Sequence, residues 1–184
     1  MNRMGDSVLI NVGVYVGRFN PIHLGHQEII NTMIYNHTLH HSILFVGSAN
    51  ARVDLRNLFT YKERRDFIKF LYPDLNVMPL ADQANDSDWF ESLIDMIDAV
   101  FPFYHHINLY CGDLVDIANF PHEEKITIKV VPRYEGVTAA ATDVRRAIML
   151  EQKKVLRDLV DGRIAEEVYA RGRYRLEAML KGEM

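Results

Sequence analysis

The sequence predicts an α/β fold: a doubly wound parallel sheet of about five strands with a helical C-terminal segment. Three observations carry that expectation. Short β-rich runs alternate with helix-like segments, each run leads into a loop with polar or turn-forming residues, and no strand signal remains after Thr142. At 184 residues the chain is long enough for one domain with a proper core. We therefore expect an α/β domain over residues 1–150 and a helical appendage over residues 151–184, packed on that domain or on another subunit of a homo-oligomer.

The first strand is read in the apolar run from Val8 to Val16, and the helix-like LGHQEIINTMIY that follows places a helix over Leu24 to Asn36. Further strands are expected at Ser42 to Gly47, Asn76 to Pro79, Ile107 to Cys111 and Ile126 to Val131. Helices fill the intervals at Tyr61 to Leu71, Trp89 to Val100 and within Val115 to Phe120. Thr60 with Glu63, and Asp88 with Glu91, have the three-residue spacing of a capping box. After Thr142 the sequence turns charged and helix-forming, with Gly162 as a break and a stripe of Ile164, Val168, Tyr169, Leu176, Met179 and Leu180 on the last helix.

Composition narrows the function. A formal net charge of -4 and a pI near 6.0 argue against a nucleic-acid or membrane-surface partner, since phosphate backbones select clustered positive charge. A small anionic ligand needs only a local basic pocket. Cys111 is the single cysteine, so no intramolecular disulfide forms, and a reducing, cytoplasmic setting is expected. The start MNRMGDS lacks the apolar stretch of a signal peptide, and the apolar segment around Leu93 to Phe103 is interrupted by Asp95 and Asp98.

The decapeptide GRFNPIHLGH, Gly17 to His26, carries the strongest chemical signal. It joins a strand to a helix start, where free backbone N–H groups and the helix dipole attract a polyanion such as a nucleotide phosphate chain. Gly17 is expected to let the backbone approach a ligand, and Pro21 to stiffen the loop. His23 and His26 are three apart and so share one helix face, with Gly25 between them leaving room for a bulky group. The plainer alternative is a pair of capping or adventitious zinc-binding histidines, although no third ligand lies close by. In an open parallel sheet ligands bind beyond the carboxyl ends of the strands, and every other polar loop falls there too.

These residues resemble the nucleotidyltransferase superfamily with the (H/T)xGH signature, and more narrowly the nicotinamide mononucleotide adenylyltransferases of archaeal and viral type. GRFNPIHLGH is similar to that family's GRFQPFHxGH; Gly47 to Thr60, GSANARVDLRNLFT, is similar to its GSAxxSHxxxNPFT, and Glu63 and Arg64 continue it. Asp82 to Trp89 resembles the loop that holds nicotinamide, with Trp89 either stacking on the pyridinium or serving as a core tryptophan. Cys111, Gly112 and Asp113 fall where the family has a glycine turn near the adenosine. Ala139 to Arg145, AAATDVR, stands where the superfamily carries ISSTxxR. Thr142 and Arg145 match, whereas Ala140 and Ala141 offer no hydroxyl, so donors there fall to backbone N–H groups, Thr142, Arg145 and Thr138.

The resemblance implies a Rossmann-like fold and transfer of AMP from ATP to the 5′-phosphate of nicotinamide mononucleotide, giving NAD and pyrophosphate. It implies His23, His26 and Arg145 as catalytic residues. Gly17, Arg18, Phe19, Gly112 and Thr142 join them in holding ATP, and Arg56, Asp82 and Trp89 hold the acceptor. Magnesium is expected to arrive with ATP, with no dedicated protein cage. Two other readings stay open: another member of the superfamily, such as a pantetheine-phosphate adenylyltransferase or a cytidylyltransferase, and a non-catalytic module that senses NAD or ATP.

Overall fold

The computed structural model describes residues 9–113, 123–132 and 139–183. Five strands, β1 (Ile10–Gly17), β2 (His41–Val46), β3 (Asn76–Pro79), β4 (Tyr104–Cys111) and β5 (Ile126–Val130), form one parallel sheet in the order β3-β2-β1-β4-β5. Successive side chains on a strand point to opposite faces, so a strand buried on both sides reads as a continuous apolar run. Val12, Val14, Ile43, Phe45, Ile107 and Leu109 pack on one face, where α3 (Asp86–Val100) covers them with Leu93 and Ile97. Tyr15, Leu44, Val46 and Tyr110 pack on the other, against α1 (Leu24–Ile34) and α2 (Tyr61–Leu71). Gly13 permits this approach. A Cβ there would lie 2.5 Å from Leu39 Cδ1 and 2.9 Å from Met33 Cγ.

The closing helices α4 (Ala141–Met149), α5 (Lys153–Leu159) and α6 (Ala165–Leu180) bury Val144, Ile148, Leu156, Val168 and Leu176 in the same cluster as Ile30 and Phe67. Gly172 lets α6 sit close, since a Cβ there would lie 2.9 Å from Ile148 Cδ1 and 3.4 Å from Leu58 Cδ2. The expected stripe holds at Ile164, Val168 and Leu176, but Leu180 lies at the helix end and is 87% exposed.

Element edges differ in physically intelligible ways. α3 starts at Asp86 rather than Trp89, because the Asn85 side chain caps it by accepting from the Asp88 N–H at 2.9 Å. Asp88 is thus the third helical residue and not the cap expected from its spacing to Glu91. β4 begins three residues before Ile107, and α1 closes at Ile34 with Tyr35 as its C-cap. The helix expected within Val115 to Phe120, Val8 of the first strand and Thr138 lie outside the described residues.

Two charged side chains at the start of α2 tie these layers together. Arg64 is 1% exposed, and its guanidinium donates to the carbonyls of Arg18 (2.7 Å), Gly47 (2.8 Å), Ser48 (2.9 Å) and Thr60 (3.4 Å). Burial pulls its pKa down to about 10, which leaves it charged at neutral pH. Glu63 completes the expected capping box with Thr60 and also accepts from Arg175 Nη2 of α6 at 2.8 Å.

Burial alone would raise the Glu63 pKa, yet hydrogen bonds from Thr60 and Arg175 outweigh it and hold the carboxyl below its ordinary 4.5. A carboxyl depressed in the folded state adds stability that is complete above its unfolded pKa and is lost as pH falls through the folded value. Urea unfolding followed from pH 7 to pH 3 should show that loss below about pH 4.5. In Arg175→Met the neutral-pH stability should fall by about 1–3 kcal/mol and the acid limb should flatten. An acid limb as steep as in the unmodified protein would remove the ion pair from the account.

Candidate active site

β1 sits between β2 and β4, so the chain leaves it toward one edge of the sheet and later returns to the other. The carboxyl ends of β1 and β4 therefore diverge into a crevice. A cavity of about 410 Å³ fills it, lined by Tyr15 to Asn20, the first turn of α1, Leu109 to Gly112, and Ala140 to Thr142 with Arg145. Arg56 and Trp89 complete the wall. Of the residues expected to hold ATP or acceptor, only Asp82 does not line this space. Its carboxylate instead accepts from Ser48 Oγ at 2.9 Å, and its backbone pairs with the Asn50 amide.

The two histidines are arranged by the helix start itself. His23 is the N-cap of α1, with an extended backbone, and its N–H donates to His26 Nδ1 at 3.3 Å. Nδ1 of a neutral imidazole that accepts a hydrogen bond leaves the proton on Nε2, so His26 keeps a donor at the far side of its ring. The two ring centroids are 3.6 Å apart, and Phe19 lies 4.7 Å from His26 on a further side. Phe19 adopts φ 48, which turns its ring back beneath Gly17. A Cβ on Gly17 would stand 2.9 Å from Phe19 Cζ. Gly17 thus makes room for Phe19 as well as facing the cavity. Gly25 serves likewise, its Cβ position lying 3.2 Å from Ala139 O and 3.3 Å from the His23 ring.

Arg145 reaches across from α4, donating through Nη1 to Asn20 O at 2.8 Å and through Nη2 to Thr142 Oγ1 at 3.3 Å. Burial first, then the positive neighbours Arg18 and Arg56, pull its pKa below the ordinary 12.5. Among the described residues lining the cavity, none is Asp or Glu. Arg18, Arg56 and Arg145 stand around this space, and Arg145 feels Asp54 less than it feels the other two arginines, so the cavity is cationic, the complement of a triphosphate. At the start of α4, which lines the cavity with Ala140, Ala141 and Thr142, the N-cap Ala140 provides no side-chain hydrogen bond.

Trp89 occupies both of the places that the two alternatives require. It is partly buried against the Leu93 and Ile97 core cluster and also presents its ring to the cavity. Sequence reading passed over Tyr15 and Tyr110, which sit in apolar strand runs, and Asn20, which stands where the family pattern GRFQPFHxGH has glutamine. The one signal for the tyrosines is their place as the last inward residues of central strands.

A crevice at the switch point of a parallel sheet, lined by three arginines and two histidines, is where a nucleotide would fit in such a fold. Residues 14–101 match the cytidylyltransferase-like family model. The nicotinamide-nucleotide adenylyltransferase of Methanospirillum hungatei is 29% identical over 143 residues, covering 76% of this chain and 77% of the relative. That of Pyrococcus furiosus is 25% identical over 164 residues, covering 85% and 81%. Among solved structures, a bifunctional NMN adenylyltransferase/ADP ribose pyrophosphatase from Francisella tularensis, complexed with AMP and a manganese ion, superposes with a TM-score of 0.71 at 19% identity. The match covers 94% of this chain and 54% of that protein, so this chain spans about half its length. The nicotinic acid mononucleotide adenylyltransferase of Plasmodium falciparum gives 0.63 at 10% identity, over 90% and 97%. At such identities these structures speak for the fold.

His26→Ala removes a polar donor and little core volume, so its melting temperature should stay near that of the unmodified protein while turnover drops at least about 100-fold. Near-normal turnover would take His26 out of the reaction. Trp89→Ala should weaken acceptor binding by about 1–3 kcal/mol, as loss of stacking on a heterocycle does. An unchanged acceptor KM would leave Trp89 with its packing task alone.

Proposed function

We propose that this cavity transfers AMP from ATP to the 5′-phosphate of nicotinamide mononucleotide, forming NAD and releasing pyrophosphate. The observation that carries the reading is the convergence of His23, His26, Arg18, Arg56, Arg145 and Trp89, drawn from four separate stretches of sequence, on one space. The oxygen that attacks is already an anion. It needs no general base, and catalysis reduces to positioning the two phosphates and stabilising charge as the α-phosphorus changes partners.

In this assignment the His26 Nε2–H donates to the α-phosphate as charge builds there, and His23 lies beside the triphosphate. Arg145 and Arg18 neutralise the departing pyrophosphate, while the α4 N–H groups and Thr142 stand in for the serines the superfamily motif carries. Arginine suits the task because its planar fork stays charged and bonds two phosphate oxygens at once. Arg56 takes the acceptor phosphate and Trp89 stacks on the pyridinium, whose positive charge favours an electron-rich indole. Gly112 borders the adenosine end.

Among the described residues no group of three or more His, Cys, Asp or Glu side chains gathers to hold a metal. The cavity's cationic lining suits phosphate oxygens, so a divalent ion, magnesium in our reading, enters bound to ATP and water. It offsets triphosphate charge. No helix of the described residues is long and apolar enough to cross a membrane. With a single buried cysteine, Cys111, a cytoplasmic site of action fits best.

Offering ATP with nicotinamide mononucleotide, with phosphopantetheine, or with neither, and measuring pyrophosphate release, tests the assignment. We expect release only with the mononucleotide, in step with NAD formation. Turnover with phosphopantetheine instead would move the protein to another branch of the superfamily, and tight NAD binding without turnover would make it a sensor.

A further inference from the structure

Asn20 is bonded to Arg145 and to the backbone of Phe59, three residues after Arg56, and so to the segments that carry the two arginines assigned to opposite substrates. It is 2% exposed. Its side-chain amide grips the backbone of Phe59 in both directions: Nδ2 donates to Phe59 O at 3.1 Å, and Phe59 N–H donates to Oδ1 at 3.0 Å. Its own carbonyl accepts from Arg145 Nη1 at 2.8 Å. Phe59 stands three residues after Arg56, and the turn from Asp54 to Asn57 that holds Arg56 is closed on itself. The Asp54 carboxylate accepts from the N–H groups of Arg56 (2.8 Å) and Asn57 (2.5 Å), while Asp54 N–H donates to Asn57 O (3.2 Å). A displacement of Phe59 therefore carries Arg56 with it.

We infer that Asn20 is a positioning residue for the transfer reaction, setting the distance between Arg56 and Arg145 and hence between the acceptor phosphate and the α-phosphate of ATP. The side chain fixes the acceptor-side arginine and the main chain fixes the donor-side one. A shorter side chain frees only the first. Substitution of Asn20 thus acts on acceptor binding and alignment while ATP binding, held through the backbone carbonyl and the α1 start, changes little. The inference rests on the adenylyl-transfer reading above, and its test separates the two.

Trp89 is the only tryptophan of the chain and lines the cavity, so its fluorescence reports acceptor binding without turnover. In Asn20→Ala we expect quenching by nicotinamide mononucleotide to need about tenfold more ligand and kcat to fall about 10- to 100-fold, as misplacement of reacting groups does. The KM for ATP should change by less than about threefold. Made in an Arg56→Ala background, the same substitution should shift acceptor affinity by less than about twofold, because the group it positions is gone. If Asn20→Ala does not fold, Asn20→Asp, close in size but facing Phe59 O with a carboxylate oxygen in place of the donating amide, carries the same double-mutant cycle. Additive effects of Asn20 and Arg56, an equal rise in both KM values, or activity that merely tracks the folded fraction would overturn the inference. If the unmodified protein binds the mononucleotide but forms no NAD, the transfer reading falls and the fluorescence cycle still decides the coupling. If it does not bind the mononucleotide at all, both fall.

Discussion

The buried guanidinium of Arg64 is the constraint on which the cavity depends. Three of the carbonyls it satisfies belong to Arg18, Gly47 and Ser48, at the carboxyl ends of β1 and β2 where the ladder has run out of partners. Each such carbonyl stranded away from water costs about 1–3 kcal/mol, more than an average hydrogen bond returns. One planar cation with fixed donor directions serves all three at once, which a lysine could not do. The loop carrying Arg18, Phe19 and the histidines is thereby fastened to the neighbouring strand before any ligand enters. A rigid cradle spends little of its binding energy on ordering itself.

The same loop shows how one local conformation can organise a reaction centre. Phe19 takes the left-handed region, and the absence of a side chain on Gly17 gives its ring somewhere to go. The ring then packs against His26, as His23 does, so the imidazole proposed to donate has few rotamers left. Backbone strain at Phe19 is a small cost set against preorganisation of His26. Coulomb repulsion among Arg18, Arg56 and Arg145 works the opposite way, raising the energy of the empty cavity and lowering it when a polyanion neutralises them.

The parallel sheet and most helices were legible because burial is written directly into residue types: Val12 to Tyr15, Ile43 to Val46 and Ile107 to Cys111 are apolar runs of strands covered on both faces, whereas the order of the strands depends on which edges pair. The start of α3 was misplaced because Asn85 and Asp88 both precede three-residue partners, and only the backbone geometry decides which one caps. At the cavity, Gly17, Arg18, His23, His26, Thr142 and Arg145 were legible through a contiguous motif and a helix start. Asn20 was not, since its amide acts on Phe59, 39 residues away, and no local pattern encodes such a pairing. Asp82 was read as part of the acceptor wall from its place in the loop, whereas its hydrogen bond to Ser48 turns it toward the strand end.

The C-terminal helices are joined to this machinery by polar contacts as well as by packing. Gln27, one position after His26 on α1, donates to Asp161 at the α5–α6 junction at 3.3 Å, and Arg175 of α6 holds Glu63 beside Arg64. The first contact braces α1, whose first turn lines the cavity, and the second braces α2, whose Arg64 holds the loop that lines it. Hydrophobic burial sets how tightly α6 sits, but it is indifferent to rotation about the helix axis; a directional bond such as Arg175 to Glu63 fixes that rotation. The start of α2, and with it the aim of Arg64 at the three carbonyls, is thus braced from the far end of the chain. That explains why a tail unconstrained by the nucleotide-binding motifs nevertheless carries arginines at the positions where α6 crosses α2.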